Sequence, residues 1–217
     1  MSLLFKKDSH LDFILGVWKI NETIKTLEEA HGHFSESETE SFNGFKNEKR
    51  KLEFLSVRVL LKELIENPAA LKYNSDGKPF LEDGSFNISI SHSNNMIGIL
   101  LSKNGNPGID IECPSEKILK VASRFLCPEE MEFLSDDVNF EKATILWCAK
   151  EAIYKMFSRH KLNFKTNIRI QTLSTSSPES FQVDILHPKL QKQVDLNYLK
   201  VDQNLIVYGI NPGKNDL

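Results

Sequence analysis

The chain carries two long stretches of helical periodicity, each followed by strand-like segments, so its fold has to accommodate the same order of elements twice. The first runs from Asn43, a residue suited to capping, to Pro68, which cannot continue a helix, and its apolar residues Leu52, Leu55, Val59, Leu60 and Leu64 share one helical face. The second spans Asn139 to Ser158. After the first helix, Tyr73 to Phe80 holds Asn74, Ser75, Asp76, Gly77 and Pro79 and predicts a turn-rich loop, and Phe86 to Leu101 alternates like a hairpin around Asn94 and Asn95. Asn104 to Pro107 is then a turn, Ile109 to Glu112 a short strand, and a helix is expected to start near Ser115. Four apolar stretches near Ile168, Phe181, Leu196 and Leu205 predict closing strands, while Leu11 to Ile20 and Asn21 to Ala30 predict an opening strand and a short helix. The expectation is an α+β chain in two similarly ordered halves, residues 1–105 and 106–217, without a repeat at the level of sequence.

At 217 residues the chain is long enough to bury a substantial core. Its formal net charge of -3 provides no general attraction to nucleic acid, so phosphate binding must come from a local group of cations. Cys113, Cys127 and Cys148 are odd in number and lack Cys-x-x-Cys spacing, which fits a reducing compartment better than a disulfide framework or a zinc site. The apolar stretch Phe13 to Val17 is too short for a signal-peptide core, and Lys6, Lys7, Asp8 and Asp12 stand close before it. No run reaches membrane-spanning length. A cytoplasmic location, away from membranes and nucleic acid, is therefore expected.

Three clusters of polar residues interrupt this apolar pattern. In Gly108-Ile109-Asp110-Ile111-Glu112 a strand sends Ile109 and Ile111 to one face and Asp110 and Glu112 to the other. Two carboxylates about 4 Å apart repel by roughly 4 kcal/mol at an effective dielectric near 20, so they require solvent, a basic side chain or a cation. Mg²⁺ suits such a pair, because it takes one or two carboxylates together with waters and substrate phosphates. Read alone, Asp-x-Glu fits a solvated strand face better. In the second helix, steps of four place Trp147, Glu151 and Lys155 on one stripe, extended by Phe140 and Ala143. Glu151 there has two readings of equal standing, a chemical group or an ordinary partner for Lys155. The third cluster, Ser89-Ile90-Ser91-His92-Ser93, follows Lys78-Pro79 and offers hydroxyl, imidazole and ammonium groups that can hold phosphate oxygens, although a His among serines is more often structural.

Taken in order, these clusters resemble the signature of the 4'-phosphopantetheinyl transferase superfamily, specifically its larger, surfactin-synthetase-activating type. The matching residues are Ser91-His92, then Gly108-Ile109-Asp110-Ile111-Glu112, then Trp147 with Lys150, Glu151, Ala152 and Lys155. Gly77-Lys78-Pro79-Phe80 and, more loosely, Arg50 and Arg58 on the first long helix extend the likeness, which covers roughly the middle half of the chain. The resemblance implies two α+β halves in a pseudo-twofold arrangement with coenzyme A in the cleft between them, and two fused halves make a monomer the default. It implies that Asp110, Glu112 and Glu151 bind Mg²⁺, that Lys155 and His92 contact the pyrophosphate or 3'-phosphate, and that Ser91, Lys78, Arg50 and Arg58 lie on the 3'-phosphate or adenine side. Catalysis would rest on Glu151 and Lys155, with Glu112 as the other possible base. The implied reaction transfers 4'-phosphopantetheine from coenzyme A to a serine of an acyl or peptidyl carrier protein and releases adenosine 3',5'-bisphosphate. The alternative is a non-catalytic protein of the same fold that binds coenzyme A or a carrier. A second alternative, an unrelated Mg²⁺-dependent nucleotide enzyme, finds neither a Walker A loop nor Gly-x-Gly-x-x-Gly in the chain. Lys117, Lys120 and Arg124, spaced at i, i+3 and i+7 on the helix expected after Ser115, offer a basic face for the carrier, with Phe125 and Leu126 as a possible apolar addition.

Overall fold

The structure, a computed structural model, describes residues 2–9, 13–134, 139–171 and 180–212, with only the backbone of Arg159. The chain opens with strands β1 (Leu3–Asp8) and β2 (Phe13–Lys19), helices α1 (Ile24–His31), α2 (Glu36–Gly44) and α3 (Glu48–Leu64), and a two-stranded ribbon of β3 (Leu71–Tyr73) and β4 (Pro79–Leu81). Strands β5 (Asn87–Ser93) and β6 (Met96–Ser102) form the expected hairpin, with Asn94 at φ 52° in its turn, a conformation that Asn tolerates. The first sheet has the order β1-β2-β6-β5 and is antiparallel throughout.

Strand β7 (Asn106–Glu112) starts the second sheet. It is followed by a 3-10 segment at Glu116–Val121, short helices α4 (Ala122–Phe125) and α5 (Pro128–Met131), and the long helix α6 (Phe140–Met156). Helix α7 (Phe164–Asn167) then leads into β8 (Ile168–Ile170), β9 (Ser180–His187), β10 (Leu190–Val201) and β11 (Asn204–Asn211). The sheet order is β7-β11-β10-β9-β8, again antiparallel, so the four closing strands expected from the sequence make up most of this sheet. Helices and antiparallel sheets together give the α+β class.

Each long helix covers one sheet. Leu55, Leu60 and Leu64 of α3 pack with Trp18, Ile88, Ile97, Ile99 and Leu101, and Leu146, Ala149 and Ile153 of α6 pack with Val183, Leu196 and Val207. A third apolar cluster joins the sheets, with Leu15, Val17, Met96 and Leu100 meeting Ile109, Ile111, Ile206 and Tyr208. Fully burying an aliphatic side chain of this kind contributes about 1.5–3 kcal/mol, so this junction is a core in its own right. It requires Gly98, since a Cβ there would lie 2.5 Å from Ile111 Cδ1.

Several boundaries differ from expectation. The first long helix begins at Glu48 rather than Asn43, because Asn47 supplies the cap: its side chain accepts from the Lys49 N–H at 2.8 Å. Asn43 belongs to the separate helix α2, whose Ser35–Glu38 capping box marks its start. The turn-rich stretch after Tyr73 is the tip of the β3–β4 ribbon, where Asn74 Oδ1 accepts from the Asp76 and Lys78 amides and Gly77 adopts φ 78°. The helix expected near Ser115 is a 3-10 segment followed by the single turn of α4, and Ser115 makes no side-chain cap. Among the described residues no helix is long and apolar enough to cross a membrane.

Candidate functional site

The Asp110 and Glu112 carboxylates come from β7, where five of seven residues are buried. Strand β7 runs close under α6 because residue 108 has no side chain, since a Cβ there would lie 2.2 Å from the Ala152 carbonyl oxygen. Helix α6 is started by Asn139, whose Oδ1 accepts from the Glu141 and Lys142 amides, and Lys155 in its last turn suits the negative end of the helix dipole. Lys155 reaches across to β7 and donates to the Ile109 carbonyl and to Asp110 Oδ1, both at 2.8 Å.

Asp110 is buried, and its two oxygens differ. Oδ1 accepts from Lys155 and from the Ser91 hydroxyl at 2.8 Å, whereas Oδ2 is buried with no hydrogen-bond partner among the described residues. Leaving a buried carboxylate oxygen unpaired costs on the order of 1–3 kcal/mol, so a missing partner at Oδ2 is a physical expectation. Glu112 accepts from the Ser93 hydroxyl at 2.8 Å, and its pKa lies above the usual carboxylate value because burial and the Asp110 charge outweigh that hydrogen bond. Glu151 is raised to about 7, by burial first, then by Asp110 and Glu112, against the opposing pull of Lys155. The buried Cys148 thiol is pushed far up, mainly by burial, then by the charges of the same two carboxylates and by its side-chain contact with Asp110, a weak sulfur interaction that does not meet hydrogen-bond geometry at Oδ2.

Asp110, Glu112, Glu151 and Lys155 thus form one electrostatic group holding three acids and one cation. Among the described residues, no three acidic, His or Cys side chains already stand at coordinating geometry. The donors nevertheless fit a hard divalent cation: all three are carboxylates, they repel one another, and the buried Oδ2 of Asp110 lacks a donor.

The other candidates lie elsewhere. Arg58 is buried, donates from Nε to Glu38 Oε1 at 2.7 Å, and stacks on the Phe54 ring with its guanidinium carbon 3.4 Å from the ring centre. Burial raises the Glu38 carboxyl, but hydrogen bonds from Arg58 and Ser35 outweigh it and leave its pKa below the usual value. Arg50 and His92 both face the buried Glu53, at 3.1 and 3.6 Å. With Tyr73 and Lys72 these residues line a cleft of about 560 Å³. Lys78 lines a different cleft of about 590 Å³, between the β3–β4 ribbon and the end of α6, with Asn87, Asn106, Phe157 and His160. Ser91 is 5% exposed and its hydroxyl is engaged by Asp110 and the Ile111 N–H, so it faces the acids and not a phosphate pocket.

Sequence reasoning missed Glu38 and Glu53, the anions on the arginines. The Ser35-to-Glu38 capping-box spacing was the available signal for the first, and the i, i+3 spacing from Arg50 for the second. It also left Lys150 without a role. That side chain is fully buried, pairs with Glu130 at 2.8 Å, and donates to the Phe164 and Ile168 carbonyls, which ties α6 to α5, α7 and β8.

Residues 106–206 match the family model of the 4'-phosphopantetheinyl transferase superfamily. A Synechocystis protein whose name marks it as a candidate 4'-phosphopantetheinyl transferase is 35% identical over 123 residues, covering 48% of this chain and 49% of its own length. The 4'-phosphopantetheinyl transferase AcpT of Salmonella typhi is 32% identical over 114 residues, covering 49% of this chain and 58% of its own. The chain thus spans about half the length of these curated relatives.

Proposed function

We propose, from the match of residues 106–206 to the 4'-phosphopantetheinyl transferase superfamily model, that the protein transfers 4'-phosphopantetheine from coenzyme A to a serine of an acyl or peptidyl carrier protein, using Mg²⁺. The observation that carries the proposal is the acid group: Asp110, Glu112 and Glu151 beside Lys155, with Asp110 Oδ2 buried and unpartnered. A protein that only bound coenzyme A or a carrier would have no use for three mutually repelling carboxylates.

The nucleophile comes from the partner, so no Ser-His-Asp or Cys-His arrangement is needed here. The carrier serine oxygen bonds to the β-phosphorus of coenzyme A as the bond from that phosphorus to the bridging oxygen breaks, releasing adenosine 3',5'-bisphosphate. Glu151, whose pKa is raised to about 7, would take the serine proton, and Glu112, raised in the same direction, is the second candidate. Lys155 holds Asp110 with one donor and the Ile109 carbonyl with another, which leaves a third N–H for a pyrophosphate oxygen. Bound to Asp110, Glu112 and Glu151, Mg²⁺ would offset the charge that builds on the pyrophosphate oxygens. We assign the cleft holding Arg50, Arg58 and His92, and the neighbouring one holding Lys78, to the nucleotide end of coenzyme A, with the division between halves at residues 105 and 106.

The test is direct. Purified protein incubated with coenzyme A, Mg²⁺ and an apo carrier should increase the carrier mass by one phosphopantetheinyl arm, and a chelator should stop the reaction. Tight coenzyme A binding with no modification of any acyl or peptidyl carrier would favour the non-catalytic alternative.

A further inference from the structure

The row Ser89-Ser91-Ser93 alternates along β5, so all three hydroxyls leave one face of that strand. Strand β5 is the edge of the first sheet and β7 the edge of the second, and no backbone ladder joins them. The serines take its place. Ser89 Oγ accepts from the Ile109 N–H and Ser91 Oγ from the Ile111 N–H, each at 3.2 Å, so two buried amides of β7 that β11 does not use are satisfied by side chains of β5. The hydroxyl protons then point onward. Ser91 donates to Asp110 Oδ1 and Ser93 to Glu112 Oε2, both at 2.8 Å.

We propose that Ser91 and Ser93 are positioning residues for the acid site, fixing the Asp110 and Glu112 carboxylates from the opposite sheet so that cation affinity is set across the junction between the two halves. The proposal rests on the metal site described above. A carboxylate of a long side chain such as Glu112 has several rotamers, and holding one oxygen restricts where the other can lie. Ser91 has two tasks, since the same hydroxyl also satisfies the Ile111 amide, and Ser91→Ala would leave a buried N–H unpaired as well as freeing Asp110. Ser93 is only half-buried, and its hydroxyl bond is to Glu112, which makes it the cleaner probe.

Binding of Mn²⁺ to the full chain, followed by the loss of the free-ion electron paramagnetic resonance signal, reads the effect without reference to turnover. Outer-shell partners of metal ligands typically alter affinity by about 10–100-fold when removed, so Ser93→Ala should weaken Mn²⁺ binding by about tenfold. Ser93→Thr retains the hydroxyl and should restore binding to within about threefold of the parent. A wild-type protein that binds Mn²⁺ and loses it in Glu112→Ala, but keeps full affinity in Ser93→Ala, would overturn the positioning role while leaving the metal site intact. Failure of the wild type to bind Mn²⁺, or unchanged binding in Glu112→Ala, would overturn the metal site and the serine assignment together.

Discussion

In the first half, the guanidinium of Arg58 rests on Glu38 at 2.7 Å and Arg50 and His92 share Glu53, whereas in the second half Asp110, Glu112 and Glu151 have Lys155 as their shared cation. The two regions carry groups of opposite sign, and their internal balance differs more than their charge. The cationic cleft is neutralised by its own glutamates and can stand without a ligand, at the cost that an incoming phosphate must compete with them. The acid group is unbalanced as it stands, and burial together with the neighbouring carboxylates raises Glu151 to about 7, which favours its protonated form. The difference teaches that residue type alone does not mark a ligand site. The nearer signal is the charge left over after local pairing.

The largest effect should follow from removing an acid. Asp110→Ala and Glu112→Ala are each expected to lower Mg²⁺-dependent transfer by about a thousandfold, equivalent to about 4 kcal/mol, with an unchanged circular dichroism spectrum. Carrier mass spectrometry at limiting Mg²⁺ measures it. Retained turnover in either variant would mean that the carboxylate removed takes no part in the transfer.

Breaking the balance of the other cleft should show in stability first. Glu38→Gln leaves the buried Arg58 without its anion, and uncoupling a buried pair costs about 3 kcal/mol, which for a chain of this size lowers Tm by roughly 6–12 °C. The stacking on Phe54 remains, so the loss should stay below that of an unpaired charge in an apolar core. A melting curve identical to that of the parent would show that Arg58 finds another partner, and the contrast between the two regions would fail.

Glu151 gives a smaller effect with a definite sign. Its pKa in the fold is raised to about 7, so the stability it contributes is fully present below its unfolded pKa and is lost as pH rises through about 7. In metal-free protein Glu151→Gln should therefore melt higher than the parent at pH 8, by about 1 kcal/mol or 2–4 °C after discounting for its partial exposure, and the gap should narrow as pH falls and close by about pH 4, below the unfolded pKa. Added Mg²⁺ should stabilise the parent at pH 8 more than the variant. Scanning calorimetry at pH 8 and about pH 4, with and without Mg²⁺, tests both parts, and a gap that persists at the lower pH would assign it to packing instead of charge.

How much of this was legible follows from which interactions are local. Asp110 and Glu112 are one strand step apart and Glu151 and Lys155 one helical turn apart, so each pair can be read from spacing, and the resemblance linked the pairs. The contacts that decide the chemistry span longer distances in sequence: Ser91 to Asp110, Lys155 to Asp110 and Arg58 to Glu38 depend on how sheets and helices pack. Helix α2 was invisible to a search for apolar periodicity because Phe42 is its buried residue, while its capping box carried the signal. Strand β1, with a largely exposed pattern, gave no alternation to detect. Lys150 sits inside the most recognisable motif yet works as a buried tie between α6, α5 and β8, which spacing on α6 could not reveal.

The smallest effect concerns the partner, and it extends the contrast to the outer surface. A carrier with an acidic surface beside the serine to be modified would be guided by a basic surface near the acid group where a neutral one would not guide it. Lys117, Lys120 and Arg124 are all exposed, with Ile118 and Val121 half-buried and Ala122 buried behind them. The 3-10 geometry of Glu116–Val121 brings Lys117 and Lys120 into line, since residues three apart eclipse in that helix. Phe125 and Leu126 are 3% and 1% exposed, so both belong to the core and neither adds the apolar contact that the sequence left open. The interaction therefore rests on exposed charge, worth about 0.2–1 kcal/mol per pair and screened over about 10 Å at 0.1 M salt. A single Lys117→Glu change should scarcely register, while Lys117→Glu with Lys120→Glu and Arg124→Glu should raise the KM for carrier by about tenfold, mainly through slower association. Coenzyme A binding should be unchanged, and added salt should bring the parent toward the variant. Normal carrier modification by the triple variant at low ionic strength would make this face solvated surface and move the docking site elsewhere on the protein.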